Sequence, residues 1–344
     1  MYEHNGGTRR GLPAIGKSWQ AFWFGPQPMY TLGLVRIAFG ALAVLWTLWL
    51  WPLLFEMFGS DGVAAQRPGI AYTWGIFDVW SSNPAVLIGW GLLLVASIAL
   101  MVGWHARLAA VLVFVLILSF QRRDPWFFNA GDAVVRIEAL FIALSPCGAA
   151  LSLDQRRRTG SFWSAQTLPN WPIRLIQVQM SIIYVVCVQT KLSGQTWLDG
   201  TAVSYALRLK DMQRFPVPEW FSTNPSLMNA ATWGTLVIEL ALGVLVWNKR
   251  ARPWVLAGGV LLHLGIDLNI EIGIFSYAMM VLYVAWIAPE TVQRLPETIT
   301  HLAAQLRARL RRNSQPDLAS SPPADQPDLA SSPPADQPDQ LVHT

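Results

Sequence analysis

The stretch YVVCVQTKLSGQTWLDGTAVSY, residues Tyr184 to Tyr205, joins an apolar run to a loop punctuated by glycine and tryptophan. Lys191 stands at the junction. A lysine at the end of a membrane helix either anchors that end, with its aliphatic stem along apolar surface and its ammonium in water, or takes part in chemistry. Trp197 suits the interface of a bilayer, and Gly194 and Gly200 permit tight turns. The stretch therefore predicts the end of a spanning helix followed by a structured loop.

The composition of the whole chain agrees with a membrane protein. Of 344 residues, 53% are hydrophobic and 13% are charged, whereas soluble domains carry roughly 25% charged residues. We therefore expect an all-α integral membrane protein whose first partner is the lipid bilayer. The formal charge of +4 does not indicate nucleic acid here, because the basic residues sort by membrane side. The two cysteines, Cys147 and Cys187, are expected to remain free.

The hydrophobic pattern predicts a multi-pass helical bundle of about eight transmembrane helices. A spanning helix needs about 20 mainly apolar residues, and several of the segments are shorter than that. The predicted spans are Leu32–Leu54, Ala85–Val102, Leu108–Phe120, Val134–Ala150, Ile173–Gln189, Leu227–Trp247, Trp254–Leu268 and Ile274–Ala288.

The distribution of lysine and arginine predicts the orientation, because cytoplasmic loops retain positive charge. With the N-terminus inside, 15 of the 25 basic residues fall in cytoplasmic segments and 7 in outer segments. We therefore expect a multi-pass protein of the cell membrane with both termini in the cytoplasm. This orientation puts Lys191 at the outer face.

The chain divides into four predicted regions. Residues 1–31 form a cytoplasmic N-terminus with a short interfacial helix, and residues 32–290 form the transmembrane domain, whose first span is expected to act as its own uncleaved signal. Residues 291–314 read as a basic amphipathic segment on anionic lipid or, equally, as a solvated and partly disordered one. Residues 315–344, in which QPDLASSPPAD occurs twice, are expected to be a disordered proline-rich tail.

Three ionisable residues in the seventh span form the second candidate constellation. His263, Asp267 and Glu271 have the spacing i, i+4 and i+8 of one helical face and would climb from mid-membrane to the outer mouth. Intramembrane ionisable residues indicate function. A proton path, packing hydrogen bonds and a metal site all suit this spacing, but no metal-binding signature accompanies it, and we predict no metal.

Two further features concern the loop before the fourth span and two isolated charges. Asn129 and Asp132 in the N-A-G-D sequence predict a helix entry, in which Asp132 either caps the helix or contributes to a site. Arg36 and Glu239 are single charges inside apolar spans and are candidates for pairing with each other.

The phosphate-loop, dinucleotide, serine-hydrolase, zincin and heme motifs do not occur, which disfavours ATP-driven pumps, nicotinamide enzymes and hydrolases of the usual kinds.

Several separated segments, in this order, resemble one family over about residues 15 to 290. They are RIAFG at Arg36–Gly40, NAGD at Asn129–Asp132, SLD at Ser152–Asp154, KLSGQTWLDGTA at Lys191–Ala202, and His263 followed by IGIFSY at Ile272–Tyr277. The chain thereby resembles the HTTM family, the horizontally transferred transmembrane domain found in the vitamin K-dependent gamma-carboxylase.

The resemblance implies a role for two residues. It makes Lys191 a general base, which acts in that carboxylase on vitamin K hydroquinone, and places His263 in the same membrane-embedded region. A quinone such as vitamin K is implied as cofactor by resemblance alone. Asn129, Asp132, Trp197, Asp267 and Glu271 are then the candidate substrate-binding residues.

The resemblance has limits, and other functions remain open. The carboxylase carries a histidine where this chain has Asn129 to Asp132, and its large luminal propeptide-binding domain has no resembling segment here. Carboxylation of a docked protein is therefore not implied. A quinone-like or peptide substrate at the outer face is one reading, and a non-catalytic accessory factor that matures a secreted peptide or protein is another. A transporter with Glu239, Asp267 and Glu271 as proton path is a third, although it predicts an internal symmetry that the sequence does not display.

Overall fold

The structure, a computed structural model, describes residues 11–66 and 74–313 and is almost entirely helical. Its α-helices are α1 (Gly11–Phe24), α2 (Tyr30–Leu50), α3 (Leu54–Phe58), α4 (Ile76–Val79), α5 (Asn83–Val102), α6 (Ala106–Arg123), α7 (Ala130–Leu144), α8 (Leu153–Thr159), α9 (Trp171–Leu192), α10 (Gln195–Leu198), α11 (Ala202–Leu207), α12 (Glu219–Ser222), α13 (Pro225–Val244), α14 (Arg252–Asn269), α15 (Phe275–Val284) and α16 (Pro289–Asn313). Two short strands, β1 (Pro26–Pro28) and β2 (Thr167–Pro169), pair antiparallel with Gln27 opposite Leu168. The all-α prediction is confirmed.

Each of the eight predicted spans coincides with a helix, but the number that crosses a membrane is not confirmed. Within the described residues, four helical segments are long and apolar enough, and a fifth follows if α15 is joined to the start of α16. The four are Tyr30–Phe58, Asn83–Val102, Trp171–Leu192 and Pro225–Trp247. Helix α7 has only 15 residues and α15 only 10, and α6 carries three arginines.

The outer faces of the helices are apolar, as a lipid environment requires. On α5 the exposed side chains Ile88, Leu92 and Val95 recur at the spacing of one helical face, and on α14 Leu261 and Leu268 do the same. Exposed apolar stripes of this length would be unfavourable in water but match the hydrocarbon core of a bilayer. Some charged side chains of the helices lie inside the bundle instead, among them Arg36 and Glu239.

Arg36 joins three segments of the bundle through backbone carbonyl groups. The side chain is fully buried, and its Nη1 donates to the carbonyl oxygens of Leu100 at 2.6 Å and Met101 at 3.1 Å, while Nη2 donates to Leu151. The carbonyls of Leu100 and Met101 lie in the last turn of α5, where carbonyl groups lack the usual helical partners, and Leu151 lies before α8. The predicted pairing of Arg36 with Glu239 is therefore wrong, since backbone acceptors take the guanidinium.

The close approach of α2 and α5 depends on a glycine one turn after Arg36. A Cβ atom at Gly40 would lie 2.6 Å from the Cα atom of Met101. The two helices pack directly against each other, and α5 then packs against α6 and α6 against α7. On the other side α9 packs against α13, with α14 and α15 completing the bundle.

The chain divides into two compact units at Arg294. In the first unit, α1 is a helix at the position of the predicted interfacial segment; its place at a membrane surface stays a prediction. In the second, residues 295–313 continue α16, so the segment His301 to Arg312 is helical. The predicted tail, residues 315–344, lies outside the described residues. Cys147 and Cys187 are both free, as predicted.

Candidate functional site

Lys191 lies in the last turn of α9 and pairs with a carboxylate on α13. Its Nζ contacts Oε1 of Glu239, and the side chains are 24% and 8% exposed respectively. Helical side chains lean toward the N-terminus of their own helix, so residues on these two antiparallel helices lean toward each other. The Trp197 ring covers the ammonium at 4.8 Å, a favourable cation–π distance. Lys191 is therefore held between an acid and an aromatic ring and does not extend freely into water.

Glu239 keeps one oxygen without a partner. Its Oε2 atom is buried and makes no hydrogen bond within the described part of the chain. A buried carboxylate oxygen in this state is costly, and such groups in native proteins call for an explanation. The atom is therefore a ready acceptor for a proton or for a ligand hydroxyl.

His263 on α14 takes part in a buried hydrogen-bonded row with two tyrosines. The Tyr184 hydroxyl lies 2.8 Å from Nε2 of His263 and 2.5 Å from the hydroxyl of Tyr283. Gly259, one turn before His263, makes room for this row, because a Cβ atom there would lie 2.6 Å from the Tyr283 hydroxyl oxygen. Nδ1 of His263 is buried and unpaired among the described residues, so the ring has a second nitrogen free to exchange a proton.

The ion pair and the tyrosine–histidine row meet on one face of α9. Tyr184, Cys187 and Lys191 have the spacing i, i+3 and i+7, which places them in line over about 10 Å of helix axis. Through Tyr184 and Lys191, this face contacts His263 on α14 and Glu239 on α13. The structure thus joins the two residues that the sequence singled out, Lys191 and His263, to one helical face.

Asp267 lies one turn beyond His263 and belongs to an outer polar group. Its Oδ2 accepts a hydrogen bond from the Tyr277 hydroxyl at 2.8 Å, and Oδ1 lies 3.5 Å from Nη2 of Arg214. Glu271, in contrast, does not share the helical face, because α14 ends at Asn269. Glu271 is exposed and comes directly after Ile270, which forms an isolated β-bridge with Gln213. The predicted row of three is therefore a pair.

Asn129 and Asp132 form the capping box of α7. Oδ2 of Asp132 accepts the Asn129 backbone N–H at 2.8 Å, and the Asn129 side chain accepts the Gly131 N–H at 2.7 Å. Oδ1 of Asp132 accepts the Trp46 indole N–H at 2.7 Å. Both oxygens of this buried carboxylate are engaged, so the geometry supports the capping role that the sequence left open.

The start of α7 also packs against the segment that contacts His263. The Asn129 amide donates to the carbonyl oxygen of Ile272 at 3.3 Å, and a Cβ atom at Gly131 would lie 2.7 Å from the Cα atom of Phe275. The Phe275 ring is 5.6 Å from that of His263. The NAGD and IGIFSY motifs are therefore in contact, and together they position His263.

The sequence prediction did not include the two tyrosines or the true partner of Lys191. Tyr184 could have been found from its spacing of seven residues before Lys191, whereas Tyr283 carries no such signal. Glu138 was not assigned to a site either; it is 3% exposed, and neither carboxylate oxygen has a hydrogen-bond partner in the described residues. No group of three His, Cys, Asp or Glu residues suited to a metal occurs within residues 11–66 and 74–313.

Comparison with known proteins identifies one family. The model of the HTTM domain matches residues 24–290, which include every residue of the cluster described above. Neither the curated proteins nor the solved structures contain a match to this chain.

Proposed function

The chain belongs to the HTTM family, and on this premise we propose that it is a membrane-embedded acid–base enzyme in which Lys191 is the base and His263 its partner. The proposed substrate is quinone-like or a peptide and reaches the cluster from the outer face. The observation that carries the proposal is the contact of Lys191 with Glu239, whose second oxygen is buried and unpaired. An anchoring lysine would have no need of a buried acid.

The ion pair supplies a route to a neutral amine. A lysine acts as a base only after its ammonium has lost a proton. Glu239 is in direct contact and can accept that proton, which is favourable where few waters stabilise the separated charges. The neutral Lys191 amine then removes a proton from an acidic hydroxyl, such as that of a hydroquinone, and becomes an ammonium again.

The row of Tyr184, His263 and Tyr283 is proposed to carry protons beside the base. Each member can both donate and accept a hydrogen bond, and the unpaired Nδ1 of His263 gives the row an open end. The Trp197 ring is proposed to close the site over the ammonium, and Asp267 to hold its outer rim through Tyr277.

The experiment measures oxygen consumption by purified protein after addition of a short-chain reduced menaquinone. We expect the wild type to consume oxygen, the Lys191→Ala and Glu239→Gln variants to lose that activity, and Lys210→Ala, an exposed lysine of the same outer segment, to keep it. Activity in Lys191→Ala equal to that of the wild type would exclude the proposed base. Extraction and mass spectrometry of bound isoprenoid quinone provide an independent readout of binding.

A second candidate function is a non-catalytic accessory factor for a secreted peptide or protein. It is favoured by the large exposed apolar side chains between α10 and α13, which include Tyr205, Phe215 and Trp220, the last 71% exposed. Exposed apolar surface outside the bilayer indicates a binding surface for a partner. A photoreactive residue at position 220 that crosslinks to a co-expressed exported protein, without any quinone-dependent activity, would favour this function.

For the membrane topology we propose eight crossings with both termini in the cytoplasm. The short helices α7 and α15 would cross with polar ends and with local thinning of the bilayer. Support comes from contacts between segments that this topology places together on the outer side, such as Asn129 with Ile272 and Arg214 with Asp267.

A further inference from the structure

We propose that the basic surface formed by the α5–α6 turn and α8 is a binding site for an anionic phospholipid, with the headgroup on Arg107, Arg157 and Arg158. This surface is separate from the cluster around Lys191, and the proposal does not depend on the proposed enzymatic function.

The headgroup would lie in a cavity of about 660 Å³ lined by four basic side chains, two apolar ones and one acid, Asp154. His105, Arg107, Arg157 and Arg158 contribute the polar wall, and Leu108 and Val111 of α6 contribute the apolar wall. A smaller recess of about 170 Å³ continues below Arg107 and Arg158 to Gln166. A phosphate group that enters this space meets cationic groups from two separate elements.

The three arginines are not used by the protein itself. All three are exposed, and none makes a hydrogen bond or an ion pair within the described residues 11–66 and 74–313. The one nearby acid, Asp154, is engaged elsewhere, because its oxygens accept the backbone N–H groups of His105 at 2.9 Å and Ala106 at 2.8 Å. The cavity therefore presents a net positive charge, with three arginines against one carboxylate.

The backbone conformation of the α5–α6 turn is fixed by hydrogen bonds to α8. Gly103 and His105 both have positive φ, 72° and 44°, and a left-handed conformation is uncommon for a residue other than glycine. The two Asp154 hydrogen bonds fix this conformation and place the α8 arginines beside the start of α6. Such a non-glycine conformation persists only where surrounding contacts determine it.

An apolar groove next to the cavity distinguishes a lipid from a free anion. A second cavity of about 440 Å³ is lined by Val95, Ile98, Val102 and Trp104, and it shares Arg157 with the first. Val95 and Ile98 are exposed on the lipid-facing side of α5, and Leu108 is exposed on α6. A lipid whose headgroup lies at Arg157 can therefore place its acyl chains on the apolar surface of α5 or on that of α6. A free phosphate would contact neither surface. Basic pockets at the cytoplasmic ends of spanning helices are suited to anionic lipid headgroups.

The test compares lipid binding to purified full-length variants in neutral detergent by native mass spectrometry. The site variant is Arg107→Gln/Arg157→Gln/Arg158→Gln. Its matched control, Arg156→Gln/Lys249→Gln/Arg250→Gln, removes the same charge from exposed residues that line neither cavity. We expect phosphatidylglycerol to bind the site variant about 100-fold more weakly than the wild type, because each of the three arginines contributes roughly fivefold. The control should stay within about twofold, and phosphatidylcholine should bind all three proteins alike.

Two results would overturn the proposal. An equal loss in the site variant and in the control would show that only net charge matters. Protection from thermal unfolding by inorganic phosphate equal to that by phosphatidylglycerol would show a free-anion site. If the triple variant is too unstable to purify, Arg157→Gln alone, which changes the residue shared by both cavities, should weaken phosphatidylglycerol binding roughly fivefold; unchanged binding would again overturn the proposal.

Discussion

Lys191 on α9 and Glu239 on α13 form an ion pair in which the glutamate side chain is almost wholly buried and the lysine side chain is about a quarter exposed. A single carboxylate inside an apolar helix is costly unless a partner compensates it. The lysine therefore stabilises the α9–α13 contact, and the same contact supplies a proton acceptor for the proposed chemistry. The proposed catalytic role and the structural role fall on the same pair, so experiments must separate them.

A double-mutant cycle measures how much the ion pair contributes to the free energy of unfolding, independently of any activity. Lys191→Met leaves Glu239 buried without its partner and is expected to lower the free energy of unfolding by about 2 kcal/mol, less than for a fully buried pair because Lys191 is partly exposed. The double variant Lys191→Met/Glu239→Met should recover most of that loss, since neither charge remains. Thermal unfolding in detergent measures the loss in the single variant and its recovery in the double variant. A double variant as unstable as the sum of the single ones would show that the pair does not couple.

The tyrosine–histidine row gives a second matched comparison. Tyr184→Phe removes the hydroxyl between His263 and Tyr283 and leaves both without their partner, so we expect a loss of about 1–3 kcal/mol. Tyr283→Phe keeps the hydrogen bond between Tyr184 and His263 and should cost less, about 0.5–1.5 kcal/mol. Chemical unfolding of the two variants in the same detergent tests the order. Equal losses would indicate that the hydroxyl of Tyr184 does not bridge the two side chains.

The helices of this fold could be predicted from the sequence because they depend on local pattern. Each of the eight predicted apolar runs coincides with a helix, and Asn129 with Asp132 located the start of α7 through capping chemistry. The number of crossings could not be fixed in the same way. Helix α15, for example, has only 10 residues, so its position in a bilayer depends on neighbouring helices.

The contacts of the site could be predicted only in part, because they depend on how distant helices pack. Lys191 and His263 both lie against one face of α9 in the structure, whereas the pairing of Arg36 with Glu239 that the sequence left possible does not form. Arg36 instead donates to backbone carbonyls at the end of α5, and Glu239 pairs with the ammonium of Lys191. Helical periodicity also continued to Glu271, whereas the backbone leaves the helix at Asn269 to pair with the segment at Gln213.

The α2–α5 contact predicts opposite effects for two glycines in neighbouring helices. Gly40→Ala places a methyl group 2.6–2.8 Å from the Met101 backbone and side chain, so the helices must separate, and we expect a loss of about 1–3 kcal/mol. At Gly91 on α5 nothing lies within 4 Å of the added atom. Gly91→Ala should therefore be neutral or stabilising by up to about 1 kcal/mol. Similar melting temperatures for the two variants would contradict the close approach.

The two cysteines should differ in their reaction with maleimides. Cys147 follows the end of α7 and is 1% exposed. A maleimide must reach the thiol in order to react with it, so this buried side chain should stay unlabelled at pH 7 to 8. Half-buried Cys187, between Tyr184 and Lys191, should react first. We expect Cys187→Ser to remove most labelling and Cys147→Ser to change it little; the reverse result would contradict the burial of Cys147.

The orientation of the chain is tested by single cysteines in the Cys147→Ser/Cys187→Ser background. Asp211 lies in an exposed segment between α11 and α12 that the charge distribution places outside, and Ser161 lies in an exposed segment after α8 that it places inside. A membrane-impermeant maleimide added to intact cells should label Asp211→Cys and spare Ser161→Cys, and permeabilised cells should label both. The opposite pattern would invert the topology. It would move Lys191 to the cytoplasmic side and the basic surface of α8 to the outer leaflet, and it would thereby remove the basis for an outward-facing substrate.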